Sequence, residues 1–112
     1  MTVKKEIQIF KQQAEICKAM ADPKRLMIIH ALREGECSVG QLADRLSLSQ
    51  ANTSQHLALL RKLGVIIPRR EGTSVFYRLA SLKIGEACDL VREMLAESLE
   101  KNQELVDFIR SA

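Results

Sequence analysis

The sequence predicts a mainly α-helical domain that carries one small β-hairpin, an α+β fold. Two observations support this prediction. Apolar residues recur three and four positions apart through most of the 112-residue chain, which is the spacing of amphipathic helices. Between residues 65 and 79 the spacing changes to alternation around the turn sequence Glu71-Gly72-Thr73-Ser74, which is typical of a hairpin. The length allows a single domain over residues 1–112, with a core of modest size.

The first helix is predicted over residues 3–21, and a second helix follows to about Glu34. The apolar row of the first helix has a 4-3-4-3-4 spacing, which makes a narrow seam suited to helix pairing, and consists of Val3, Ile7, Phe10, Ala14, Cys17 and Ala21. Asp22 is the expected N-cap of the second helix, and Pro23 occupies its first position. Its expected buried residues are Leu26, Ile29 and Leu32. His30 is expected to pack beside them as a structural residue.

The stretch from Ser38 to Leu63 predicts two further helices separated by a tight break. Ser38 is the expected N-cap of the shorter one, with Gln41 as its capping-box partner. Ser47-Leu48-Ser49 forms the break, and Ser49 caps the longer helix. The buried row of the longer helix consists of Thr53, Leu57 and Leu60. A short helix, a turn of three or four residues and a longer helix form the helix-turn-helix pattern.

The outward face of the longer helix carries amides, hydroxyls and methyl-sized side chains, whereas an ordinary solvated helix would carry more Glu and Lys. Gln can pair with adenine, Ser bonds either a donor or an acceptor, and Ala can contact a thymine methyl group. This face therefore suits the major groove of DNA. The predicted DNA contacts of this helix are Ser49, Gln50, Ala51, Ser54, Gln55, His56 and Arg61.

A basic hairpin follows at once, with strands from Val65 to Arg70 and from Val75 to Leu79. Pro68 has no N–H to donate to a neighbouring strand, so the first strand is predicted at the edge of its sheet. A helix-turn-helix followed by a basic hairpin predicts a winged helix. The predicted DNA contacts of this wing are Arg69, Arg70 and Thr73.

One long helix is predicted from about Ser81 to Ile109. Its apolar row begins with Ile84, Cys88, Val91 and Leu95 and continues, one residue out of phase, with Leu99, Asn102, Val106 and Ile109. Asn102 either fixes the register of paired helices from a buried position or lies exposed where the seam ends. The sequence leaves these two possibilities open.

The charged residues are distributed unevenly around a net charge of +3. Residues 22–80 carry nine Lys or Arg against five Asp or Glu, whereas residues 81–112 carry four against seven. The basic share therefore coincides with the helix-turn-helix and the wing. No secretory segment and no membrane-spanning run is recognised, so a cytoplasmic location is expected. A phosphate-binding loop, a nucleophile elbow and an evident carboxylate pair are also lacking, which argues against an enzyme.

The segment LSLSQANTSQHLALLRKLGVIIPRREGTSVFYRL, residues 46–79, resembles the core of the ArsR/SmtB family of bacterial winged-helix repressors. That family has an L-S-Q-S-x-V-S-H-H-L-x-x-L-R recognition helix and an R-x-G-x-x-x-x-Y-x-L wing. Upstream, AMADPKRLMIIHAL resembles the family's A-L-(A/G)-D-x-x-R-L-x-I-L-x-x-L, so the resemblance spans about Ala19 to Ala80. It implies a homodimeric DNA-binding repressor that leaves its operator when an inducer binds.

The resemblance further implies that residues 22–80 form the DNA-binding part and that residues 1–21 and 81–112 form the dimer interface. The interface residues expected on this basis are Ile7, Phe10, Ala14, Cys17, Ile84, Cys88, Val91 and Leu95. A two-fold dimer would place its recognition helices about 34 Å apart, one turn of double-stranded DNA, and so predicts an inverted-repeat operator.

The inducer sites of this family are not reproduced in their usual form. In the thiolate motif E-L-C-V-(C/G)-D-L, Ser38 stands where the metal-binding cysteine is expected, Gly40 stands where a second cysteine sometimes occurs, and Cys37 is one residue off. The zinc-type site on the last helix would fall on Ala80 or Ser81, Lys83, Met94 and Glu97. Lysine and methionine do not suit zinc. His30 and a residue near Ala96 replace the cysteine pair of relatives that sense peroxide or sulfide.

Three cysteines remain as candidate sensor thiols: Cys17, Cys37 and Cys88. They could converge within or between subunits to bind arsenite or another thiophilic ion, or to form a sensing disulfide. Among them Cys37 is expected to be the most reactive, because it is expected to lie exposed at a helix N-terminus. Alternatively the three cysteines are small packed hydrophobic residues. No cofactor is certain. Two other functions stay open: a winged-helix repressor without metal or thiol sensing, constitutive or responsive to a small molecule, and a winged helix that binds proteins.

Overall fold

The computed structural model describes residues 2–99 and 102–111. In chain order the elements are α1 (Val3–Ala19), α2 (Pro23–Leu32), β1 (Cys37–Ser38), α3 (Val39–Leu46), α4 (Gln50–Lys62), β2 (Ile66–Glu71), β3 (Ser74–Leu79), α5 (Lys83–Ser98) and α6 (Gln103–Ser111). This mainly helical arrangement around a small antiparallel sheet confirms the predicted α+β winged helix-turn-helix. None of the helices in these ranges is long and apolar enough to cross a lipid bilayer.

The apolar core lies between α2, α3, α4 and the first residues of the hairpin. Its largest fully buried apolar side chains are Ile28, Ile29, Leu42, Leu57, Leu60 and Ile66. Burial of each such side chain stabilises the fold by about 1.5–3 kcal/mol. The prediction for Leu26 is wrong, because Leu26 is 38% exposed and Ile28 takes the buried position. The cause is that α2 is apolar on more than one side, so apolar spacing alone does not identify its inner face.

Side-chain caps begin three of the helices where the sequence predicts them. The Asp22 carboxylate accepts hydrogen bonds from the Lys24 and Arg25 amides, at 2.8 and 3.2 Å. Ser38 and Gln41 form the reciprocal capping box, with N···O distances of 3.2 and 2.9 Å. Ser49 caps α4 through the Asn52 amide. Each cap contributes about 1 kcal/mol to helix stability.

The turn between α3 and α4 depends on one residue in the left-handed region. Ser47 ends α3 with φ of 55°, and the Leu48 amide then donates to the Ala43 carbonyl at 2.9 Å. This bond satisfies one of the carbonyls left without a partner at the end of α3. The chain reverses direction here, which sets α4 against α3 as the helix-turn-helix pattern requires.

The sheet has the strand order β1-β3-β2, with both pairs antiparallel. Strand β2 is therefore an edge strand, as Pro68 predicts. The two-residue strand β1 is not predicted from the sequence; it pairs Cys37 with Tyr77. Gly72, at φ of 60°, occupies the left-handed position in the turn that joins β2 to β3.

The prediction of one continuous C-terminal helix is wrong. Helix α5 ends at Ser98 and α6 starts at Gln103, and residues 100 and 101 lie outside the described residues. Asn102 is exposed and its side-chain oxygen accepts from the Leu105 amide at 3.3 Å, so it caps α6 instead of fixing the register of a helix pair. The one-residue phase shift of the apolar row marks this break. The break lets α6 fold back against α5, where Arg110 lies 3.3 Å from Glu93 and Val106 is buried.

Candidate nucleic-acid interface

Helix α4 presents a polar row to solvent and an apolar row to the core. The exposed residues include Gln50, Ala51, Ser54, Gln55, Ala58 and Arg61. On the opposite side Thr53, Leu57 and Leu60 are fully buried. The Thr53 hydroxyl donates to the Ser49 carbonyl at 2.8 Å, so the buried hydroxyl has its partner. The helix is therefore held by its inner face, while its amides, hydroxyl and methyl groups project outward.

A shallow hollow of about 380 Å³ lies between α4 and strand β3. It is lined by Ser54, Ala58, Arg61, Lys62 and Tyr77. Two cations beside hydroxyl groups are the combination that contacts a phosphate backbone. Lys62 and Tyr77 are additions to the predicted set of contacts. The position of Tyr77 follows from the pairing of β3 with β1, which apolar alternation in the hairpin does not reveal.

His56 does not share the outward face of α4 with its neighbours in the predicted contact set. Its side chain is 16% exposed, and Nε2 lies 4.0 Å from a carboxylate oxygen of Asp22. Asp22 is the N-cap of α2. The prediction that His56 contacts DNA is therefore not supported by this geometry, which gives His56 a position between α4 and the start of α2.

The prediction that His30 packs against the core as a structural residue is wrong, because its side chain is exposed.

Arg70 and Thr73 are exposed near the tip of the wing. Arg70 pairs with Val75 in the strand register, one position before the turn. The turn residue Gly72 brings Thr73 round to the same end of the hairpin. The wing therefore offers one guanidinium and one hydroxyl at its tip, both suited to phosphate oxygens.

Arg69 is held by acidic residues of the same chain. Its Nε lies 3.0 and 3.1 Å from the two carboxylate oxygens of Glu36, and its Nη1 lies 2.9 Å from Glu71. These bonds raise the pKa of Arg69 and lower the pKa of Glu36. The guanidinium carbon also lies 5.0 Å from the centre of the Phe76 ring. The prediction that Arg69 binds DNA is therefore not supported, because its charge is matched within the fold.

The three cysteines are unpaired and do not form a joint site within one chain. Cys17 is exposed on α1, whereas Cys37 and Cys88 are half-buried. Cys37 is therefore less accessible than predicted, because strand β1 pairs with β3 and covers part of it. Burial raises the pKa of the Cys88 thiol. Over residues 2–99 and 102–111, no three His, Cys, Asp or Glu side chains are grouped to hold a metal ion.

The apolar seams of α1 and α5 are largely uncovered in the single chain. Phe10 is 67% exposed and Val91 is 58% exposed, and Ile7 and Leu95 are exposed as well. Contiguous apolar residues of this size mark surfaces that bind another protein. Two members of the predicted interface behave differently. Ile84 and Cys88 are half-buried against the core of their own chain, because α5 turns that part of its seam inward.

Comparisons with known proteins agree with this geometry. The sequence profile of the family described as "Bacterial regulatory protein, arsR family" matches residues 22–67. The transcriptional activator HlyU of Vibrio cholerae is 41% identical over 83 residues, which cover 74% of this chain and 77% of HlyU.

Two solved structures are similar across most of the chain. The transcriptional repressor BigR of Xylella fastidiosa has a TM-score of 0.70 and 32% identity, and the match covers 84% of this chain and 96% of BigR. A homodimeric winged helix-turn-helix DNA-binding domain of Mycobacterium bovis, described as a possible ArsR-family transcriptional regulator, has a TM-score of 0.78 and 30% identity. That match covers 91% of this chain and 94% of the domain.

The relatives named here are transcriptional regulators and not enzymes. The family profile covers the helix-turn-helix, and the similarity to the solved winged-helix structures also covers the hairpin. The fold, the exposed face of α4 and these relatives lead to one conclusion. The chain is a DNA-binding transcriptional regulator that belongs to the bacterial ArsR family.

Proposed function

We propose that two copies of the chain form a repressor that covers an inverted repeat on double-stranded DNA. Residues 22–80 serve as the reading head, and residues 1–21 and 81–112 serve as the dimerisation segments. The observation that carries this proposal is the outward face of α4, where amides and hydroxyls lie between the cations of Arg61 and the wing. Amides and hydroxyls can bond base edges while the neighbouring cations contact phosphates.

In this proposal each head reads one half of the repeat. Gln50, Ser54 and Gln55 enter the major groove, where their side chains reach base edges. Arg61 and Arg70 flank them and bind phosphates on either side. Arg69 and His56 have a different task, since each lies against acidic residues of its own chain: Arg69 positions the wing and His56 the recognition helix.

Dimerisation is supported by the exposed seams of α1 and α5. Each copy leaves the apolar side chains of Ile7, Phe10, Val91 and Leu95 in contact with water, and a second copy would cover them. The Mycobacterium bovis relative is described as homodimeric, which adds support. A two-fold arrangement would place the two recognition helices about 34 Å apart, so that both heads meet the same side of the DNA.

An inducer releases such a dimer only if it binds the DNA-free state more tightly than the DNA-bound state. Helix α5 follows the wing and carries part of the proposed dimer seam. A ligand bound beside α5 would therefore change the orientation of the two reading heads relative to each other. A thiophilic inducer receives less support from the structure. The three thiols do not meet in one chain, and only Cys17 is exposed on the proposed seam.

Fluorescence anisotropy with DNA from upstream of the coding region tests the proposal. We expect one dimer to bind an inverted repeat at least about tenfold more tightly than a single half-site, because two heads share one binding event. Equal affinity for both DNAs would contradict the dimeric mechanism. The same titration with arsenite, zinc or a mild oxidant tests whether the protein senses these agents through its thiols. It is repeated on Cys17→Ser, Cys37→Ser and Cys88→Ser. A thiol sensor loses its response in at least one of these variants.

A further inference from the structure

A cavity of about 260 Å³ lies where α2 meets α5. Its apolar wall consists of Met20, Leu26, Ile29, Val91 and Leu95. Ligand sites for small molecules usually start near this volume, so the cavity suits a single ring or a short hydrocarbon chain. Its outer wall belongs to the proposed dimer seam, and a second copy would therefore close it from solvent.

The rim of the cavity is basic. His30, Arg33 and Arg92 line it together with one acid, Asp89. Both carboxylate oxygens of Asp89 are bound by Arg33, at 2.6 and 2.9 Å. In the part of the chain that the structure describes, no Asp or Glu pairs with Arg92. The two arginines thus exceed the single acid by one positive charge, before any contribution from His30.

Cys88 also lines the cavity, but its chemistry favours reversible binding over reaction. Its Sγ lies 3.5 Å from the Met20 sulfur, and burial raises the pKa of the thiol. A protonated thiol is a weak nucleophile. Cys88 therefore extends the apolar wall, and the basic rim is the feature that selects the ligand.

We propose that this cavity binds a small apolar monocarboxylate, whose carboxylate group contacts Arg92 and His30 while its hydrocarbon part lies against the apolar wall. The proposal rests on the proposed function, because such an acid would be the inducer. An apolar body with one anionic group matches an apolar cavity with one surplus cation. A neutral ligand of the same shape would leave that cation without a partner.

The cavity borders a contact that joins the reading head to the dimer seam. Arg33, just after α2, crosses α5 at Gly85 to reach Asp89; a Cβ atom on Gly85 would lie only 2.5 Å from the Arg33 Nε. The absence of a side chain at Gly85 therefore allows this crossing. A carboxylate held by Arg92 and His30 lies beside this ion pair and offers Arg33 a second anionic partner, and the pair is exposed enough to weaken. Its loss would free α2 to move against α5.

Isothermal titration calorimetry on the full chain tests the site with benzoate and hexanoate as probes and with benzamide and hexanamide as neutral controls. We expect each acid to bind at least about tenfold more tightly than its amide, because a charge-assisted hydrogen bond is lost in the amide. Arg92→Gln should abolish this preference. Leu26→Trp should fill the cavity from its exposed side and block both acids. Lys83→Gln, a charge change on α5 outside the cavity wall, should leave binding unchanged.

The regulatory part is tested by anisotropy with promoter DNA. Saturating acid should weaken DNA binding by the parent and should have no effect on Leu26→Trp. Failure of both acids to bind, equal binding of acids and amides, or unchanged DNA affinity in saturating acid would each overturn the proposal. If the parent does not bind promoter DNA without any acid, the proposed function fails, while calorimetry still decides whether the cavity selects carboxylates.

Discussion

Arg69 on β2 reaches across Phe76 on β3 to bind both carboxylate oxygens of Glu36, the residue before β1. One side chain thus spans all three strands of the sheet. Glu71 binds the same guanidinium from the wing turn. The charge of Arg69 is therefore neutralised by the protein itself, and Arg70, the next residue, remains exposed.

Glu36→Gln should release Arg69 toward the phosphate backbone. We expect tighter binding to all DNA sequences and a steeper salt dependence, by about one unit of slope if one new phosphate contact forms. Anisotropy titrations at several salt concentrations measure both quantities. Glu34→Gln is the matched control. It removes another exposed acid, which pairs with Arg45 and not with the wing. An identical response of the two variants would mean that only net charge matters.

Arg70→Gln should weaken binding to specific and non-specific DNA by a similar factor. The physical reason is the loss of one phosphate contact, which carries no sequence information. The slope of log affinity against log salt should become shallower by about one. Arg110→Gln, on α6 away from the wing, should leave the slope unchanged. A loss confined to one DNA sequence would show that Arg70 contacts a base.

Gln55→Ala should cost about 1–3 kcal/mol of binding free energy and relax specificity at one base position. A competition assay with operators that vary at each position measures this change. Gln103→Ala, at an exposed position of α6, provides the control for loss of an amide. If Gln55→Ala binds its operator as tightly as the parent, Gln55 does not enter the groove.

Phe10→Asp should dissociate the proposed dimer without unfolding the chain, because the ring is exposed in the single chain. We expect the dimer dissociation constant to rise roughly tenfold or more, since an apolar ring loses its buried position. Sedimentation equilibrium gives the constant, and circular dichroism checks the fold. Gln12→Asp adds the same charge beside the seam. A dimer unaffected by Phe10→Asp would place the interface elsewhere.

Arg33→Gln should raise the pKa of Asp89 toward its ordinary value of 3.8, because the Arg33 hydrogen bonds hold that pKa low. A carboxyl group whose pKa is lower in the folded protein than in the unfolded chain stabilises the fold at pH values above its unfolded pKa. This stabilisation is lost as the pH falls through the folded pKa. The free energy of unfolding should therefore decrease less at acidic pH in Arg33→Gln than in the parent protein. A carbon-detected NMR titration of Asp89 measures the midpoint directly, and an unchanged midpoint would contradict the pairing.

The helix-turn-helix could be predicted closely because its signals are local. Ser38, Gln41 and Ser49 cap helices within three residues of themselves, and the buried face of α4 follows from the 3.6-residue period. The same holds for Pro68, whose missing N–H confines β2 to an edge. Where a few neighbouring residues determine the conformation, sequence reasoning succeeds.

The features that were missed depend on residues distant in the chain. Strand β1 exists only because β3 lies beside it, and Glu36 meets Arg69 across 33 positions. His56 lies inward beside Asp22, the N-cap of a helix more than thirty residues earlier in the chain. The break before Asn102 did leave a local trace in the phase of the apolar row, yet a phase shift alone does not separate a bend from a new helix.

The strand order β1-β3-β2 has a further consequence for a protein that exposes a small sheet on a crowded chromosome. One edge strand has only two residues, and the other contains Pro68 and the exposed charge of Arg70. Short length, a missing amide donor and repelling charge each discourage a strand of another molecule from extending the sheet. The wing is thereby protected against edge-to-edge aggregation, even where many copies gather along one stretch of DNA.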